Sequence, residues 1–438
     1  MRQKKGARCG ERSVVSSLQN NGRKKKRRGK KNTAKRKLDE KLRKSLKVSN
    51  RTMYVCFFLL FNRNFTHDSP IHSLARLLTR SSLSLPSLQS VFKARGKGAH
   101  AAFFDSDKTC REAVELELER ALAKKSVESL INHPNQEHVK EVKIALLGTD
   151  LYSGATARAI LDVYRHYCLS GHHMFSMQKF GFDQFTQESG IADPISPTCS
   201  PHHLETTFIT SNLDTKPKWR SAAHSYNRRP DRSLNRAEFI EALIRIGIQK
   251  YYADDENPDQ AASTGEAVSL LMTHHITNFV HGHGHSNRAI LNPDDFRKKA
   301  LYSHSVDAVL RQGDTLAFLE ETYQMNCEAE EGGRISVQAW LRFVRKNASL
   351  GGSNPSVKIG FSEEFAKECF IQSRLIVVDE EAPSAALRVR TLSFEDFLEA
   401  VVRLTGGVNI EGQVGVALDD PDAVAQRLEA LIAVVMAQ

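Results

Sequence analysis

The sequence predicts an all-α protein built as two duplicated lobes, each a pair of helix–loop–helix units, with a disordered basic tail in front. The main observation is a repeat: residues 234–246 read LNRAEFIEALIRI, and residues 392–404 read LSFEDFLEAVVRL. At this shift of 158 positions the leucine, the acid, the phenylalanine and the Glu-Ala pair recur in register. A match of this length indicates a duplicated structural unit.

A second, shorter repeat extends the duplication to the units that precede this motif. It relates three residues of one half to three of the other at a shift of 160, namely Ser176, Gln178 and Phe180 to Ser336, Gln338 and Trp340. The order is therefore two units, a linker and two units again. The aromatic residues at the predicted helix starts (Phe180, Phe239, Trp340 and Phe397) are expected to lie in the core, because they fall on the apolar side of the helical period.

The net charge of +11 belongs to the beginning of the chain. Residues 1–50 hold 20 Lys and Arg against 3 acids, a charge of +17, which leaves −6 for the rest. Like-charge blocks repel one another and stay open, so we expect a disordered tail. The run KKKRRGKK at residues 24–31 also has the composition of a nuclear-localisation or nucleic-acid patch, although no aromatic residues are interleaved for base stacking.

The composition divides the chain into four expected regions. Residues 1–107 form the basic, low-order start, which also has the composition of a mispredicted upstream segment. Residues 108–252 hold a helical lead-in and the first lobe, residues 253–302 are a linker with connecting helices, and residues 303–438 hold the second lobe and a last helix. The apolar run at 53–61 is nine residues long, and a membrane span needs about 20.

Apolar residues at helical spacing predict the individual elements. The predicted helical stretches are 114–130, 155–167, 204–209, 235–246, 267–280, 296–310, 315–323, 393–404 and 421–436. The apolar run at 142–147 is too short to classify. Seven scattered cysteines, odd in number and without a CxxC pair, favour free thiols in an intracellular setting.

Each copy of the 13-residue repeat has an apolar residue, an acid four positions later, an aromatic residue and an amphipathic helix. From about residue 155 to 405 the chain resembles the EF-hand superfamily in a two-lobed, calmodulin-like layout. More narrowly, LxRxEFxEALxR at residues 234–245, followed by Lys250 and Tyr251, is similar to degenerate EF-hand-like proteins of flagellated or ciliated protists. That resemblance implies an association with the cytoskeleton or flagellum.

The EF-hand resemblance assigns a loop position to each residue, so the loops can be checked for calcium ligands. The ion needs oxygen donors at positions 1, 3, 5, 7, 9 and 12 and Gly at position 6. Counting from Leu234 at position 8, the second loop runs over residues 227–238. Its best residual ligands are Asn227, Asp231, Ser233, Asn235 and Glu238. Arg229 takes position 3 and Arg232 position 6, and the loop side chains sum to +2. We therefore expect no tight calcium site here.

The other three loops are also incomplete. Lys179 is expected at position 12 of the first loop and Ala339 at position 12 of the third, although Glu328 and Glu330 hold positions 1 and 3 of the third. In the fourth, Asp396 holds position 12. Before it, Ala385, Leu387 and Val389 offer no side-chain ligand, and the acidic residues 379–381 lie in an insertion.

Two histidine groups are weak zinc or nickel candidates. One comprises His274, His275, His281, His283 and His285, and the other comprises His166, Cys168, His172 and His173. The first has no cysteine within ten residues and no evident acid to orient its imidazoles, and the second matches no zinc spacing. We found no Gly-rich phosphate loop, GxSxG or HExxH motif, so no catalytic or cofactor-binding residue is expected.

The sequence thus favours a non-enzymatic structural or adaptor protein that binds a helix of a protein partner, a cytoskeletal component by resemblance. Two alternatives remain open. One is a calcium sensor with one or two weak sites. The other is a nuclear protein that binds nucleic acid through its basic tail.

Overall fold

The computed structural model describes most of the chain beyond residue 89. The described ranges are 90–95, 102–131, 136–148, 154–171, 174–213, 233–253, 259–283, 292–328, 331–348, 357–410 and 420–436. The expected basic tail lies outside them. Over the described residues the protein is mostly helical, as the sequence predicts.

Sixteen α-helices and six short strands make up this part of the chain. In order they are α1 (Asp107–Leu122), α2 (Lys125–Leu130), α3 (Gln136–Leu147), α4 (Ala155–Cys168), β1 (Met177–Gln178), α5 (Lys179–Glu188), α6 (Pro201–Asn212), β2 (Ser233–Leu234), α7 (Arg236–Tyr251), α8 (Thr264–Leu271), α9 (Pro293–Phe296), α10 (His304–Arg311), α11 (Thr315–Asn326), β3 (Ile335–Ser336), α12 (Val337–Ala348), β4 (Val357–Ile359), α13 (Glu363–Gln372), α14 (Pro383–Arg390), β5 (Thr391–Leu392), α15 (Phe394–Leu404), β6 (Val408–Ile410) and α16 (Pro421–Met436). π-helical turns (Met272–Thr277, Phe279–His283 and Arg297–Leu301) extend α8 and α9.

Several helix starts are set by side-chain caps that can be read from the sequence. Ser106, Ser263, Ser303 and Ser362 each accept a hydrogen bond from a backbone N–H in the first turn. Such caps satisfy N–H groups that have no partner inside the helix, and each contributes about 1 kcal/mol. The run at 142–147, which periodicity could not classify, is the second half of α3.

Two miniature antiparallel sheets join the loops in pairs. Met177 lies opposite Leu234 in the first, and Ile335 lies opposite Leu392 in the second. Each of these residues in the second sheet therefore lies 158 positions after the corresponding residue in the first. The shift of 160 predicted for the first unit differs by two residues from this strand register, because it relied on two identities and one aromatic pair. A third two-stranded sheet pairs β4 with β6.

A tyrosine makes the same hydrogen bonds beside each miniature sheet. The hydroxyl of Tyr164 in α4 donates to the carbonyl of Leu234 at 3.2 Å, and the hydroxyl of Tyr323 in α11 donates to the carbonyl of Leu392 at 3.2 Å. Each tyrosine ring also lies 5.6 Å from the phenylalanine of the repeated motif, Phe239 or Phe397. Helix and strand are thereby held together in both places.

The buried apolar residues form two cores. The first lies mainly within residues 110–279 and the second mainly within residues 300–432. Each core is completed by a helical segment that follows its strand pair. In the first core this segment is α8 with its π-helical extension, where Ile276 and Phe279 are buried. In the second core it is α16, where Val424 and Leu428 are buried.

Three of the four aromatic residues expected in the core are buried, and the fourth is not. Phe239, Trp340 and Phe397 are almost fully enclosed, but Phe180 is 67% exposed. The physical reason is the register of the strands. With a shift of 158, the partner of Trp340 is Phe182, which is fully buried. Phe180 therefore lies on the solvent side of α5.

A buried ionic cluster, which we call the polar junction, links the two cores. Arg297 is fully buried, and its Nε lies 3.0 Å from one Glu399 oxygen and 3.1 Å from the other. Its Nη1 donates to Asp294 at 2.8 Å and to Asp105 at 3.4 Å. Arg158 of α4, in the first core, donates to Asp294 at 2.9 Å.

Glu399 is the acceptor shared by most of the junction. Besides Arg297, it accepts a hydrogen bond from Arg403 at 2.7 Å and from Arg95 at 2.6 Å. Burial alone would raise the pKa of Glu399, but the three guanidinium groups outweigh it and hold that pKa below its ordinary value. Three buried cations are thereby neutralised in part by one carboxylate.

Residues before α1 belong to this arrangement. The sequence places the first folded region after residue 107, yet Phe92 is buried in the second core and packs edge-on against Tyr302. Asp105 is buried in the polar junction. The packed part of the chain therefore includes residues ahead of position 108.

Replacing the buried phenylalanines of the repeated motif should destabilise the protein strongly. We expect Phe239→Ala or Phe397→Ala to lower the free energy of unfolding by about 3–5 kcal/mol, because a cavity replaces a fully packed ring. Phe180→Ala is the matched control and should leave that free energy almost unchanged. Denaturant titration measures all three, and an equal loss in the control would contradict the register derived above.

Neutralising Glu399 should be equally costly. Glu399→Gln removes the carboxylate partner of Arg403 and one of the partners of Arg297 and of Arg95, a change of about 3–5 kcal/mol at neutral pH. The lowered pKa of Glu399 stabilises the fold at pH values above the unfolded-state pKa, near 4.3, and this contribution is lost as the pH falls through the folded-state value.

The difference between the wild type and Glu399→Gln should therefore shrink in acid. The control is Glu363→Gln, whose carboxylate pairs with Arg345 and Lys367 at the surface and should matter little. Urea unfolding at several pH values measures both variants. A constant difference between pH 7 and pH 3 would show that the charge of Glu399 is not what stabilises the junction.

Candidate functional site

The second loop is the best calcium candidate of the sequence, and its described ligands point inward. Asn227 and Asp231 lie outside the described residues. Ser233 is buried in β2. Asn235 and Glu238 form a capping box at the start of α7: the Asn235 side chain accepts from the N–H of Glu238 at 2.8 Å, and the Glu238 carboxylate accepts from the N–H of Asn235 at 2.8 Å. The acid expected at position 12 therefore caps a helix.

The acid of the fourth loop, Asp396, also caps a helix, and two arginines contact it in addition. Asp396 accepts from the backbone N–H of Ser393 at 3.0 Å and from its hydroxyl at 2.7 Å. Arg95 lies 2.7 Å from one carboxylate oxygen, and Arg334 lies 3.4 Å from the other. Guanidinium groups thus surround this carboxylate where a calcium-binding loop would present it to the ion.

The strand register also changes the expected position 12 of the first loop. Because Met177 is paired with Leu234, position 12 is Gly181 and not Lys179. A Cβ at Gly181 would lie 2.3 Å from the carbonyl oxygen of Tyr167, so the close approach of α4 requires glycine there. Lys179 instead pairs with Asp183 one helical turn later. The first loop offers no acid at this position.

The third loop keeps its turn but not its terminal ligand. Gly332 and Gly333 have positive φ angles of 64° and 71°. Ala339, at position 12, is fully buried. Glu328 faces Arg342, with Oε1 at 2.9 Å from Nη2, and Glu330 lies outside the described residues.

The segment before the fourth motif is a helix. Ala385, Leu387 and Val389 lie on α14, and so provide no loop of the expected length. Two acids of the insertion are paired with arginines of the first core. Asp379 accepts from Arg120 at 2.8 Å, and Glu380 lies 3.4 Å from Arg236.

The histidine groups are only partly within the described residues. His275 is held through both ring nitrogens: Nε2 lies 2.9 Å from the Tyr251 hydroxyl, and Nδ1 lies 2.9 Å from the carbonyl of Ser189. His172, His173 and His285 lie outside the described ranges, and so does the side chain of His283. Among the residues that the structure describes, no three His, Cys, Asp or Glu side chains converge as a metal site.

Sequence reasoning missed the arginines that bind these acids. Arg95 contacts Asp396 across 301 positions, and nothing in the local pattern around residue 95 indicates that contact. Arg236 lies inside the repeated motif, yet its partners Glu117 and Glu380 come from α1 and from the insertion. Only the excess of arginine in the second loop was a visible signal.

Comparison with known proteins returned no match: no family model, no curated protein and no solved structure is similar to this chain. In the described part of the chain, no helix is both long enough and apolar enough to cross a membrane.

We predict that calcium binds weakly or not at all. Sensor loops reach dissociation constants of about 10⁻⁷–10⁻⁵ M by gathering several carboxylates around the ion. Here Glu238 and Asp396 are engaged by helix caps, and Asp396 by arginines as well. Calorimetric titration of the calcium-free full-length chain should give no micromolar site, and its unfolding midpoint should be equal in calcium and in chelator. A micromolar site would instead favour the sensor alternative.

Proposed function

We propose that this protein is a non-enzymatic, EF-hand-like structural or adaptor protein that binds a protein partner. The observation that carries the proposal is the strand register. The position-8 residues of paired loops, Met177 with Leu234 and Ile335 with Leu392, lie opposite one another at a single shift of 158. Two helix–loop–helix units that each leave a short β-edge unsatisfied are completed by pairing in this way.

The hydrogen bonds of Tyr164 and Tyr323 support a duplicated lobe. Each joins the first helix of a pair to the strand of the second unit at the same distance, 3.2 Å. The two capping boxes, at Asn235 and Ser393, start the last helix of each pair. Equivalent contacts in both halves are what a gene duplication of one folding unit would leave.

A role without tight calcium binding is supported by the ion pairs that loop residues make with the rest of the chain. Asp396 is neutralised by Arg95 and Arg334, and the Arg236 guanidinium donates to Glu117 at 2.9 Å. Ion pairs within the chain thus take the place of a bound cation. The pairs of helices would keep one arrangement, as a structural protein or adaptor requires, and would not open and close with calcium as a sensor does.

Helix packing in the second core supports a helical ligand, because one amphipathic helix of the chain itself, α16, is already packed there. α16 packs there with Val424, Leu428, Leu431 and Ile432 buried, at spacings of four, three and one residues. This is the pattern by which helices dock in grooves. A helical segment of a partner is therefore the class of ligand that we propose, and by resemblance its source is the cytoskeleton or flagellum.

Co-sedimentation tests the partner class. The full-length protein should pellet with detergent-extracted flagellar cytoskeletons, and it should do so equally in calcium and in chelator. A variant without residues 1–50 is the control for attraction by the basic tail, whose effect raised ionic strength should screen. Loss of binding in that variant would favour the nucleic-acid alternative, and binding only in calcium would favour the sensor.

A further inference from the structure

A small cavity lies where α4, the residues before β1 and the segment after α13 meet. Its volume is about 30 Å³, and its polar lining is dominated by three arginines, Arg165, Arg236 and Arg374, with one acid, Glu380. A space of this size holds two or three water molecules or one small group.

Two of the three arginines have partners inside the protein. Arg165 lies 3.4 Å from a carboxylate oxygen of Asp105. Arg236 donates to Glu117 at 2.9 Å and to the carbonyl of Val377 at 2.9 Å. Their charges are therefore largely compensated within the protein.

Arg374 is different. It is only 8% exposed, and its Nε has no hydrogen-bond acceptor. Among the described residues, no carboxylate forms an ion pair with its guanidinium group. The group lies against two aromatic rings instead, with Cζ 5.3 Å from the centroid of Phe175 and 5.2 Å from that of Phe370. Aromatic faces attract a cation and fix its plane, but they provide no lone pair in the plane of the N–H groups.

Burying a charge without a carboxylate partner is unfavourable, and the pKa of Arg374 reflects this. Burial and the neighbouring Arg165 lower the pKa of Arg374 to about 9. At pH 7 the side chain is still charged, so it keeps its hydrogen-bonding capacity. Glu380 is the acid of the cavity, and it is already paired with Arg236 at 3.4 Å.

We propose that this cavity is an anion site in which Arg374 binds a carboxylate group. The planar guanidinium matches the two oxygens of a carboxylate, and charge-assisted pairs of this kind are among the strongest hydrogen bonds in proteins. The small volume suits a carboxylate better than a phosphate, and the acid at the edge opposes a doubly charged ligand. The carboxylate belongs either to a free small acid or to an acidic side chain of a bound peptide.

The first test measures the unfolding midpoint of the full-length protein in calcium-free buffer while sodium chloride is replaced by sodium acetate at constant ionic strength. Binding to the folded state alone stabilises it, so the midpoint should rise with acetate concentration. Arg374→Met should abolish the rise. Arg345→Met, a change at an exposed arginine, should keep it in full.

Arg374→Met is expected to fold. Replacing an uncompensated buried charge by an apolar side chain of similar length is neutral or stabilising. Its midpoint without acetate should therefore equal or exceed that of the wild type. Arg374→Lys keeps the charge but lacks the planar fork, and its apparent affinity for acetate should fall at least tenfold.

Calorimetry distinguishes the two sources of the carboxylate. The probes are acetate, formate, inorganic phosphate and a capped peptide, acetyl-Ala-Ala-Glu-Ala-Ala-amide. Tighter binding of the peptide than of acetate supports an acidic partner segment, and equal or weaker binding supports a small acid.

Three results would overturn the proposal. They are a wild-type midpoint that does not respond to acetate, a response that persists in Arg374→Met, and tighter binding of phosphate than of acetate. None of them bears on calcium or on the cytoskeletal partner, so the outcome here is separate from the test of the proposed function.

Discussion

The pairing of Arg297 with Glu399 is the interaction on which the rest of this fold depends. Both side chains are fully buried, and the segments that meet at them come from the start of the packed chain, from α9 with its extension and from α15. An ion pair of this kind is a weak source of net stability, because two charges lose their hydration. Its geometry is restrictive, however, and removing one partner leaves a buried charge uncompensated. The junction therefore specifies how the two cores are joined more than it adds to their stability.

Donors of the chain itself also satisfy the acids at the starts of α7 and α15. Asp396 is held by Arg95 and Arg334, and Glu238 closes a capping box. In both cases the carboxylate that would bind a cation is satisfied by donors of the chain itself. A loop whose acids already have partners within the chain would gain little by rearranging around calcium. This is the physical argument behind the proposed structural or adaptor role.

Arg374 departs from this pattern. Elsewhere in the described chain the buried arginines of the junction face carboxylates, whereas Arg374 faces two aromatic rings and a cavity. Buried polar groups are normally hydrogen-bonded, and exceptions call for an explanation. A carboxylate entering the cavity would give Arg374 the kind of partner that Arg297 has in Glu399 and that Arg236 has in Glu117.

The sequence alone determined several of the helices and one register. Helical periodicity located α4, α7, α15 and α16, because a helix that buries one face must repeat its apolar residues every three to four positions. The 13-residue repeat determined the shift of 158, since its matches were long. Tertiary structure decided the rest. It showed that Phe182 is buried and Phe180 exposed, which the alignment at a shift of 160 did not predict. It also decided the partners of the described loop acids Glu238 and Asp396. Arg95 lies 301 positions before Asp396, and the contact of a charged side chain does not appear in the local periodicity of the sequence.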